Sequence, residues 1–320
     1  VESFGAGDDL NFRDLDVLVF GPAVGEASAM FDLYWNSAAA VPLSGLSRAP
    51  EGVFEDIADA IKTEAQSAEA QRYLQRVAAS PKVQDYAGKR LEPFWSDRIH
   101  LVADPPLKWE EDSRDQWLVH RIERDLSSAK DKVLLISPYF VPGPEVTKGM
   151  TALVDKGVTV GIVTNSLAAN DVAAVYGAYR PYRDQLLRGD VHVYELRAQG
   201  HPHSSLFGSS GASLHTKAYS VDDARGFIGS FNLDARSAYL NTEMGVMFDD
   251  PLLAKAVRDE YLRLSGPELS YWMHLDKNGK PRWLDRAARP PSMVSTEPDT
   301  GTWQRASATV ISWLPLESQL

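Results

Sequence analysis

Residues 214–243, LHTKAYSVDDARGFIGSFNLDARSAYLNTE, contain the most informative pattern in the chain. Six polar or small residues stand in the spacing H-x-K-x4-D-x6-G-S-x-N, and a glutamate follows. These are His215, Lys217, Asp222, Gly229, Ser230, Asn232 and Glu243. The alternation over residues 214–221 predicts a half-buried strand, and a second short strand begins after a turn. The stretch therefore predicts a β-hairpin that carries polar side chains.

Three of these side chains suit an anionic tetrahedral group. Residues two apart on a strand share a face, so His215 and Lys217 are predicted to point into one pocket. Lys217 and Asn232 would hold phosphate oxygens as charge develops on them. His215 would attack phosphorus or transfer a proton.

The remaining members of the pattern have supporting roles. Gly229 is predicted to let the backbone approach a ligand closely, with the hydroxyl of Ser230 beside it. Asp222 is predicted to hold the turn of the hairpin. Glu243 is predicted to orient the imidazole of His215, as the third member of a catalytic triad does.

The segment that contains Glu243 has a counterpart near the start of the chain. Residues 13–22, RDLDVLVFGP, align without a gap with residues 242–251, TEMGVMFDDP, so that Asp14 falls on Glu243. An amphipathic helix pattern follows each of them. This internal repeat predicts that a partner of the 214–243 pattern precedes residue 1. The alternative is a diverged protein with one motif whose first strand is merely similar.

The composition restricts the class of protein. The 320 residues are 44% hydrophobic and 24% charged, as in a soluble globular protein. A net charge of −11 argues against a nucleic-acid partner. The absence of cysteine excludes disulfides and thiolate metal sites, and no metal or cofactor is predicted. The sequence has no run of 18 apolar residues, so no transmembrane helix is expected, and its first residues do not predict a signal peptide.

Strands and helices alternate between residues 132 and 196. This order predicts an α/β fold, with a mixed or parallel sheet that helices flank on both faces. Ligands of such sheets usually bind at the carboxyl ends of the strands. Tyr139 and Asn165 follow predicted strands and are therefore further candidates for substrate binding.

The pattern at 215–232 resembles the HKD motif of the phospholipase D superfamily. Six fixed residues would match by chance on the order of 1 in 10^8 times per starting position. SPYFVPG at 137–143, LVDKGVTVGIVTNSLAANDVAAVYGAYRPYR at 153–183 and the final SWLPLESQL also resemble the bacterial, type-C-like cardiolipin synthase branch. The resemblance implies a phospholipase D-like lobe.

The resemblance also implies an activity. Members transfer phosphatidyl groups without a metal: one histidine forms a phosphohistidine, while another protonates the leaving alcohol and then deprotonates the acceptor. The active site lies between two HKD lobes, so Asp14 would orient the histidine of a first motif. The implied partners are a phospholipid substrate, the surface of the bacterial inner membrane, and a first HKD lobe in trans or a second copy of the chain.

The repeat and the resemblance together predict four parts. Residues 1–37 are the end of the first lobe, 38–97 a helical connector, 98–285 the second lobe, and 286–320 a linker with an amphipathic tail. Without the first motif this chain is expected to be inactive. Two other functions stay open, namely a phosphodiesterase or nuclease that uses water as the acceptor, and a non-catalytic domain that binds phosphate or lipid.

Overall fold

A computed structural model describes residues 13–46, 50, 52–79, 81–90, 93–108, 114–170, 172–198 and 214–313. The strands are β1 (Ile99–Ala103), β2 (Lys132–Ile136), β3 (Thr159–Asn165), β4 (His192–Leu196), β5 (Lys217–Val221), β6 (Arg225–Gly229), β7 (Met244–Phe248), β8 (Ser270–Leu275), β9 (Pro281–Asp285) and β10 (Ser292–Val294). The helices are α1 (Ala23–Trp35), α2 (Leu43–Leu46), α3 (Val53–Ala65), α4 (Ala68–Ala79), α5 (Pro81–Ala87), α6 (Leu118–Ser127), α7 (Gly143–Asp155), α8 (Ala173–Arg188), α9 (Ala235–Tyr239), α10 (Pro251–Leu264) and α11 (Thr302–Ile311).

In the described part of the chain all ten strands join one mixed sheet, in the order β1-β7-β6-β5-β2-β3-β4-β8-β9-β10. The central strands β2, β3 and β4 are parallel to one another. The flanking strands are antiparallel, and β5 pairs with β2 so that Ala218 lies opposite Ile136. The predicted hairpin, β5–β6, therefore lies near the middle of the sheet.

Helices cover both faces of the sheet, as the predicted α/β fold requires. Val133 and Leu135 of β2 join the cluster that includes residues of α6, α7 and α8. Their neighbours Leu134 and Ile136 join Tyr261 and Leu264 of α10 on the opposite face. Because alternate residues of a strand face opposite sides, an uninterrupted apolar strand such as VLLI fits a sheet buried on both faces.

Residues 13–20, in the first segment of the repeat, do not form a strand like β7 of the second segment. This segment is extended, but its pairing is limited to one parallel bridge between Arg13 and Leu214 in the described residues. Leu15 and Val17 still pack on a cluster of β5, β6, β7 and α10. A strand needs a hydrogen-bonded neighbour along its length, and the described part of the chain does not provide one here.

The connector predicted over residues 38–97 contains the helix pair α3 and α4. The large apolar side chains of α3 are nevertheless exposed. Phe54, Ile57 and Ile61 keep 79%, 54% and 63% of their surface accessible. Leu18, Phe20, Phe31 and Trp35 are also exposed.

The linker predicted between residues 286 and 302 is wrong. Strand β10 pairs with β9 in this interval, with Met293 opposite Leu284. Helix α11 then packs on α8, where the Arg180 guanidinium donates to Thr309 Oγ1 over 2.8 Å. The Pro/Ser/Thr-rich composition suggested a linker, but short edge strands tolerate proline.

Candidate active site

The hairpin of the motif is fixed by Asp222 at its turn. The carboxylate of Asp222 accepts hydrogen bonds of 2.8–3.1 Å from the backbone amides of residues 130–132, which lead into β2. Burial alone would raise the pKa of Asp222, but these amides and the charge of Arg225 outweigh it and lower the pKa. Asp222 also adopts a left-handed φ of 54°, which Asp tolerates better than most residues. The structural role predicted for Asp222 agrees with these contacts.

His215 lies just before β5, and its ring is half exposed. Its Nδ1 is 2.9 Å from Asp14 Oδ1. We expected Glu243 to orient this imidazole and Asp14 to serve another histidine, and that expectation was wrong. The backbone explains why Asp14 is here: the carbonyl of Arg13 accepts hydrogen bonds from the amides of His215 and Thr216, so the next residue arrives beside the ring.

Glu243 has other partners at the head of β7. Ser230 Oγ donates to one carboxylate oxygen over 2.5 Å, and Asn241 Nδ2 donates to the other over 3.1 Å. The Ser230 hydroxyl also accepts from the amide of Met244. Ser230 therefore fixes the orientation of the buried Glu243 carboxylate.

Lys217 is the first residue of β5, and Asn232 follows the end of β6 by three residues. Lys217 is buried, and its Nζ donates to the carbonyl of His215 over 2.6 Å. The Asn232 side-chain oxygen is buried and has no hydrogen-bond partner among the described residues. The Asn232 backbone amide donates to Ser237 Oγ over 3.3 Å. The backbone around both residues is thus held by local contacts, which favours defined positions for the ammonium and the amide.

Gly229 serves the packing of the sheet. It pairs with Gly245 across β6 and β7. A Cβ atom at Gly229 would lie 2.4 Å from the carbonyl oxygen of Met244 and 2.4 Å from the ring of Phe227. We expected the backbone at Gly229 to approach a ligand closely, but strand β7 lies there instead.

Asn165 positions the motif rather than presenting a free amide. Its Oδ1 accepts from the amide of Leu214 over 3.0 Å, and its Nδ2 donates to the Leu214 carbonyl over 3.2 Å. This two-bond clamp holds the residue before His215. The substrate-binding role of Asn165 stays a prediction.

Tyr139 lies in a loop that runs beside Asn232. The loop is fixed there by Val141, whose amide donates to the Leu233 carbonyl, and by Ser137, whose hydroxyl accepts from the Leu233 amide. Tyr139 itself is partly buried against the core. Its binding role stays a prediction.

Two residues near the site, Asp104 and Lys108, were not predicted from the sequence. Asp104 follows β1, and its side chain accepts from the backbone amide of Glu243 over 3.0 Å. Lys108 forms a 2.9 Å ion pair with Asp104 and is fully buried. Their segment, ADPPLK, has the composition of an ordinary loop, so no sequence signal pointed to them.

The described residues contain neither a membrane-spanning helix nor a cluster of metal ligands. No helix there is long and apolar enough to cross a membrane. Within the same ranges, no group of three or more His, Asp or Glu residues is arranged to hold a metal ion.

The sequence is similar to known cardiolipin synthases. Residues 122–265 match the protein family described as "Cardiolipin synthase, PLD-like domain". Cardiolipin synthase C of Escherichia coli strain K12 is 36% identical over 320 residues, which are 98% of this chain and 67% of that protein. An uncharacterized protein of Helicobacter pylori strain J99 is 35% identical over 258 residues, covering 78% of this chain and 50% of its own length. This chain thus spans two thirds of one relative and half of the other.

Two solved structures align with parts of this chain at low sequence identity. The phosphatidylserine synthase of Haemophilus influenzae aligns with a TM-score of 0.45 at 17% identity, over 75% of this chain and 52% of that one. The phospholipase D family member Nuc of Salmonella typhimurium aligns with a TM-score of 0.38 at 18% identity, over 52% of this chain and 91% of that one.

The family assignment depends on the sequence comparison together with the intact motif. The 36% identity extends over almost the whole chain and includes the region of the HKD hairpin. The chain belongs to the cardiolipin synthase family of the phospholipase D superfamily.

Proposed function

We propose that this chain supplies one of the two HKD half-sites of an enzyme that forms cardiolipin by phosphatidyl transfer through a phosphohistidine. The observation that carries the proposal is the 2.9 Å contact between His215 of the motif and Asp14 of the repeated segment. A carboxylate at Nδ1 fixes the tautomer and the orientation of a histidine ring, and it stabilises the positive charge that the ring carries during proton transfer or nucleophilic attack. Phosphatidyl transfer needs such a group to attack phosphorus or to move a proton.

The repeat supports a site with two halves. Asp14 and Glu243 occupy equivalent positions in their segments, and Asp14 contacts the histidine of the HKD motif that follows it. Because Glu243 is the equivalent of Asp14 in the second segment, it would orient the histidine of the other motif, on the first lobe. Ser230 and Asn241 hold the Glu243 carboxylate in a fixed orientation suited to that purpose.

The exposed apolar side chains near the beginning of the described residues support a covering lobe. The segment 13–20 is extended without a full ladder, and Phe20 and Trp35 are exposed beside it. Helix α3 adds Phe54 and Ile57 to the exposed set. Exposed apolar side chains that cluster in this way are typical of a protein–protein interface. A first lobe, on the same polypeptide, in trans or from a second copy, would cover it, with residues 13–37 completing that lobe.

The reaction then has two balanced steps. One histidine Nε2 bonds to phosphorus as the bond from phosphorus to the leaving alcohol breaks, and the other histidine gives its proton to that alcohol. The second histidine next takes a proton from a lipid hydroxyl, whose oxygen attacks phosphorus and displaces the first histidine. Lys217 and Asn232 hold the phosphate oxygens during both steps.

A lipid substrate places this enzyme at a bilayer, and we propose peripheral contact with the bacterial inner membrane. Helix α11 supports this contact. It presents Trp303 and Val310 to solvent, and Trp313 is exposed two residues after its end, while Ala308 is buried against the body of the protein. Tryptophan is favoured where an apolar surface meets lipid headgroups.

The test is lipid turnover on phosphatidylglycerol vesicles. The chain is assayed alone and with an added lobe that contains a first HKD motif, and His215→Ala is compared with the wild type in each setting. We expect cardiolipin only from the combination with wild-type His215, and a phosphorylated histidine after an acid-free quench. Absence of lipid turnover in both settings would contradict the proposal.

The same assay separates the other functions. Phosphatidic acid without cardiolipin would indicate a phosphodiesterase that uses water. Turnover of DNA without lipid products would indicate a nuclease, although the net charge of −11 argues against a nucleic-acid substrate. Vesicle binding that His215→Ala leaves unchanged, without any turnover, would indicate a non-catalytic domain.

A further inference from the structure

We infer that the buried ion pair of Asp104 and Lys108 is a positioning device for Glu243 and Asn232, an inference that rests on the proposed function of this site. Both side chains are 0% exposed, and Lys108 Nζ lies 2.9 Å from Asp104 Oδ2. Lysine is almost never fully buried unless it is paired. An ion pair of this kind is rarely kept for stability alone, because well-packed apolar residues often stabilise as well or better.

The hydrogen bonds of Lys108 lead to the active-site segment. Its ammonium has three donors, and it meets three acceptors at 2.9–3.0 Å. One is Asp104, and the other two are the backbone carbonyls of Ser237 and Asn241. Ser237 Oγ in turn accepts from the Asn232 amide. Lys108 therefore fixes the turn that separates Asn232 from Glu243.

Asp104 holds the other end of this segment. Its amide donates to the Glu243 carbonyl over 2.8 Å, and its Oδ2 accepts from the Glu243 amide over 3.0 Å. Its second oxygen accepts from the amide of Leu118 at the start of α6, over 2.8 Å. The buried carboxylate of Asp104, just after β1, therefore connects the backbone of Glu243 with the start of helix α6.

Lys108 and Asp104 act on Glu243 by holding its backbone. The Glu243 carboxylate can meet its histidine only if the backbone of residues 237–243 keeps its place, and Lys108 and Asp104 hold that backbone at both ends. Catalytic groups displaced by as little as 1 Å lose on the order of 100-fold in rate. Loss of the pair should therefore lower kcat while changing KM much less, because Glu243 and Asn232 are proposed to act on the charge that develops in the transition state.

The experiment compares Lys108→Met and Asp104→Asn with the wild type in two measurements. The first is hydrogen exchange at the amides of residues 232 and 237–243, which needs no activity. We expect exchange there to accelerate at least about 10-fold more than in the rest of the sheet. The second is lipid turnover with the first lobe present, where we expect kcat to fall on the order of 100-fold with KM changing much less. Asp104→Asn keeps the shape and the contact with Leu118, so it serves if Lys108→Met does not fold.

Glu195→Gln is the matched control, because Glu195 and Arg183 form another buried ion pair whose described contacts include no site residue. It should change neither local exchange at 232–243 nor kcat, whatever its effect on global stability. Unchanged exchange in both site variants, or altered exchange with an unchanged kcat, overturns the inference. If the wild type turns over no lipid, accelerated exchange still supports the positioning role, and it is the proposed function that fails.

Discussion

The Nδ1 atom of His215 and the Oδ1 atom of Asp14 lie 2.9 Å apart, although 201 positions separate the two residues in the chain. The contact crosses between two repeated segments, because Asp14 belongs to the first and His215 precedes the second. A single extended lobe with its own complete triad would have paired His215 with Glu243. The observed pairing instead fits an arrangement in which the carboxylate of one repeated segment contacts the histidine of the other half-site.

Replacing Asp14 by alanine tests the catalytic importance of this contact. The imidazole would lose the acceptor that fixes its ring and tautomer, so kcat for lipid turnover in the presence of the first lobe should fall on the order of 100-fold or more. KM should change little, because Asp14 does not hold the phosphate. Asp16→Ala, two residues along the same segment and exposed, is the control and should keep full activity. Equal activities of the two variants would contradict the orienting role.

Asn165→Leu tests the clamp on the motif strand. The substitution keeps the size but removes the two side-chain hydrogen bonds to the buried amide and carbonyl of Leu214, which should cost roughly 2–4 kcal/mol in the free energy of unfolding. Urea unfolding measures this change. Turnover should also fall, because Leu214 precedes His215. Asn170→Ala removes one loop hydrogen bond, to the Val172 amide, and should lower stability less and leave kcat unchanged.

The sequence predicted the α/β class and most elements of the second lobe because their patterns are local. The strand VLLIS and the helix over 170–188 follow from apolar runs and periodicity in consecutive residues. The hairpin followed from the HKD spacing. These features depend on neighbours in the chain, which a sequence displays directly.

The roles of Asp14, Glu243 and Gly229 could not be predicted in the same way. Each depends on which segment arrives from elsewhere: Arg13 at the start of the motif strand, Asp104 at Glu243, and Met244 against Gly229. The spacing of a motif identifies its members, but their partners depend on long-range topology. The loop that contains Asp104 and Lys108 carries no local pattern at all.

Asp222→Asn tests the carboxylate at the hairpin turn. Asparagine tolerates the left-handed backbone, so the change mainly removes the charge that accepts three backbone amides, and we expect a loss of roughly 2–3 kcal/mol in the free energy of unfolding at pH 7. The folded pKa of Asp222 is lowered from its ordinary value of 3.8. Its stabilisation is therefore present above pH 3.8 and is lost as the pH falls through the folded pKa. The gap between wild type and variant should narrow in acid.

Asp223→Asn is the control for this measurement. Asp223 has the same left-handed conformation, but its carboxylate pairs with the side chains of Lys132 and Arg258 near the surface. Such pairs contribute about 0–1 kcal/mol. If Asp223→Asn destabilised the protein as much as Asp222→Asn, the backbone clamp would not explain the effect.

Glu195→Gln tests a pH dependence that originates in the core. Burial raises the pKa of Glu195 from 4.5 to about 7, although Arg183 and Trp283 act to lower it. Between these pH values the folded protein keeps a proton that the unfolded chain has lost. The contribution of Glu195 to the free energy of unfolding therefore decreases as the pH rises from 4.5 to about 7, and levels off above.

Urea unfolding at several pH values from 5 to 8 measures this effect. The wild type should lose roughly 2–4 kcal/mol relative to Glu195→Gln across the window. The variant has no titrating group at this position, so its own profile lacks this component. Parallel profiles of the two proteins would show that Glu195 does not titrate in this range.

Trp303→Ser combined with Trp313→Ser tests the membrane contact of α11. Both indoles are exposed, at 86% and 77%, while Ile311 of α11 packs on Gly177 of α8 and fixes the helix to the body. Insertion of two indoles at the headgroup level should dominate binding, since the exposed face carries no basic residue. We expect the double variant to bind phosphatidylglycerol vesicles at least about 10-fold more weakly in sedimentation. Trp35→Ser removes an exposed indole from α1, on the surface that the first lobe is proposed to cover, and should not weaken binding. Equal losses from Trp35→Ser and from the double variant would mean that exposed tryptophan in general, and not α11, determines the contact with lipid.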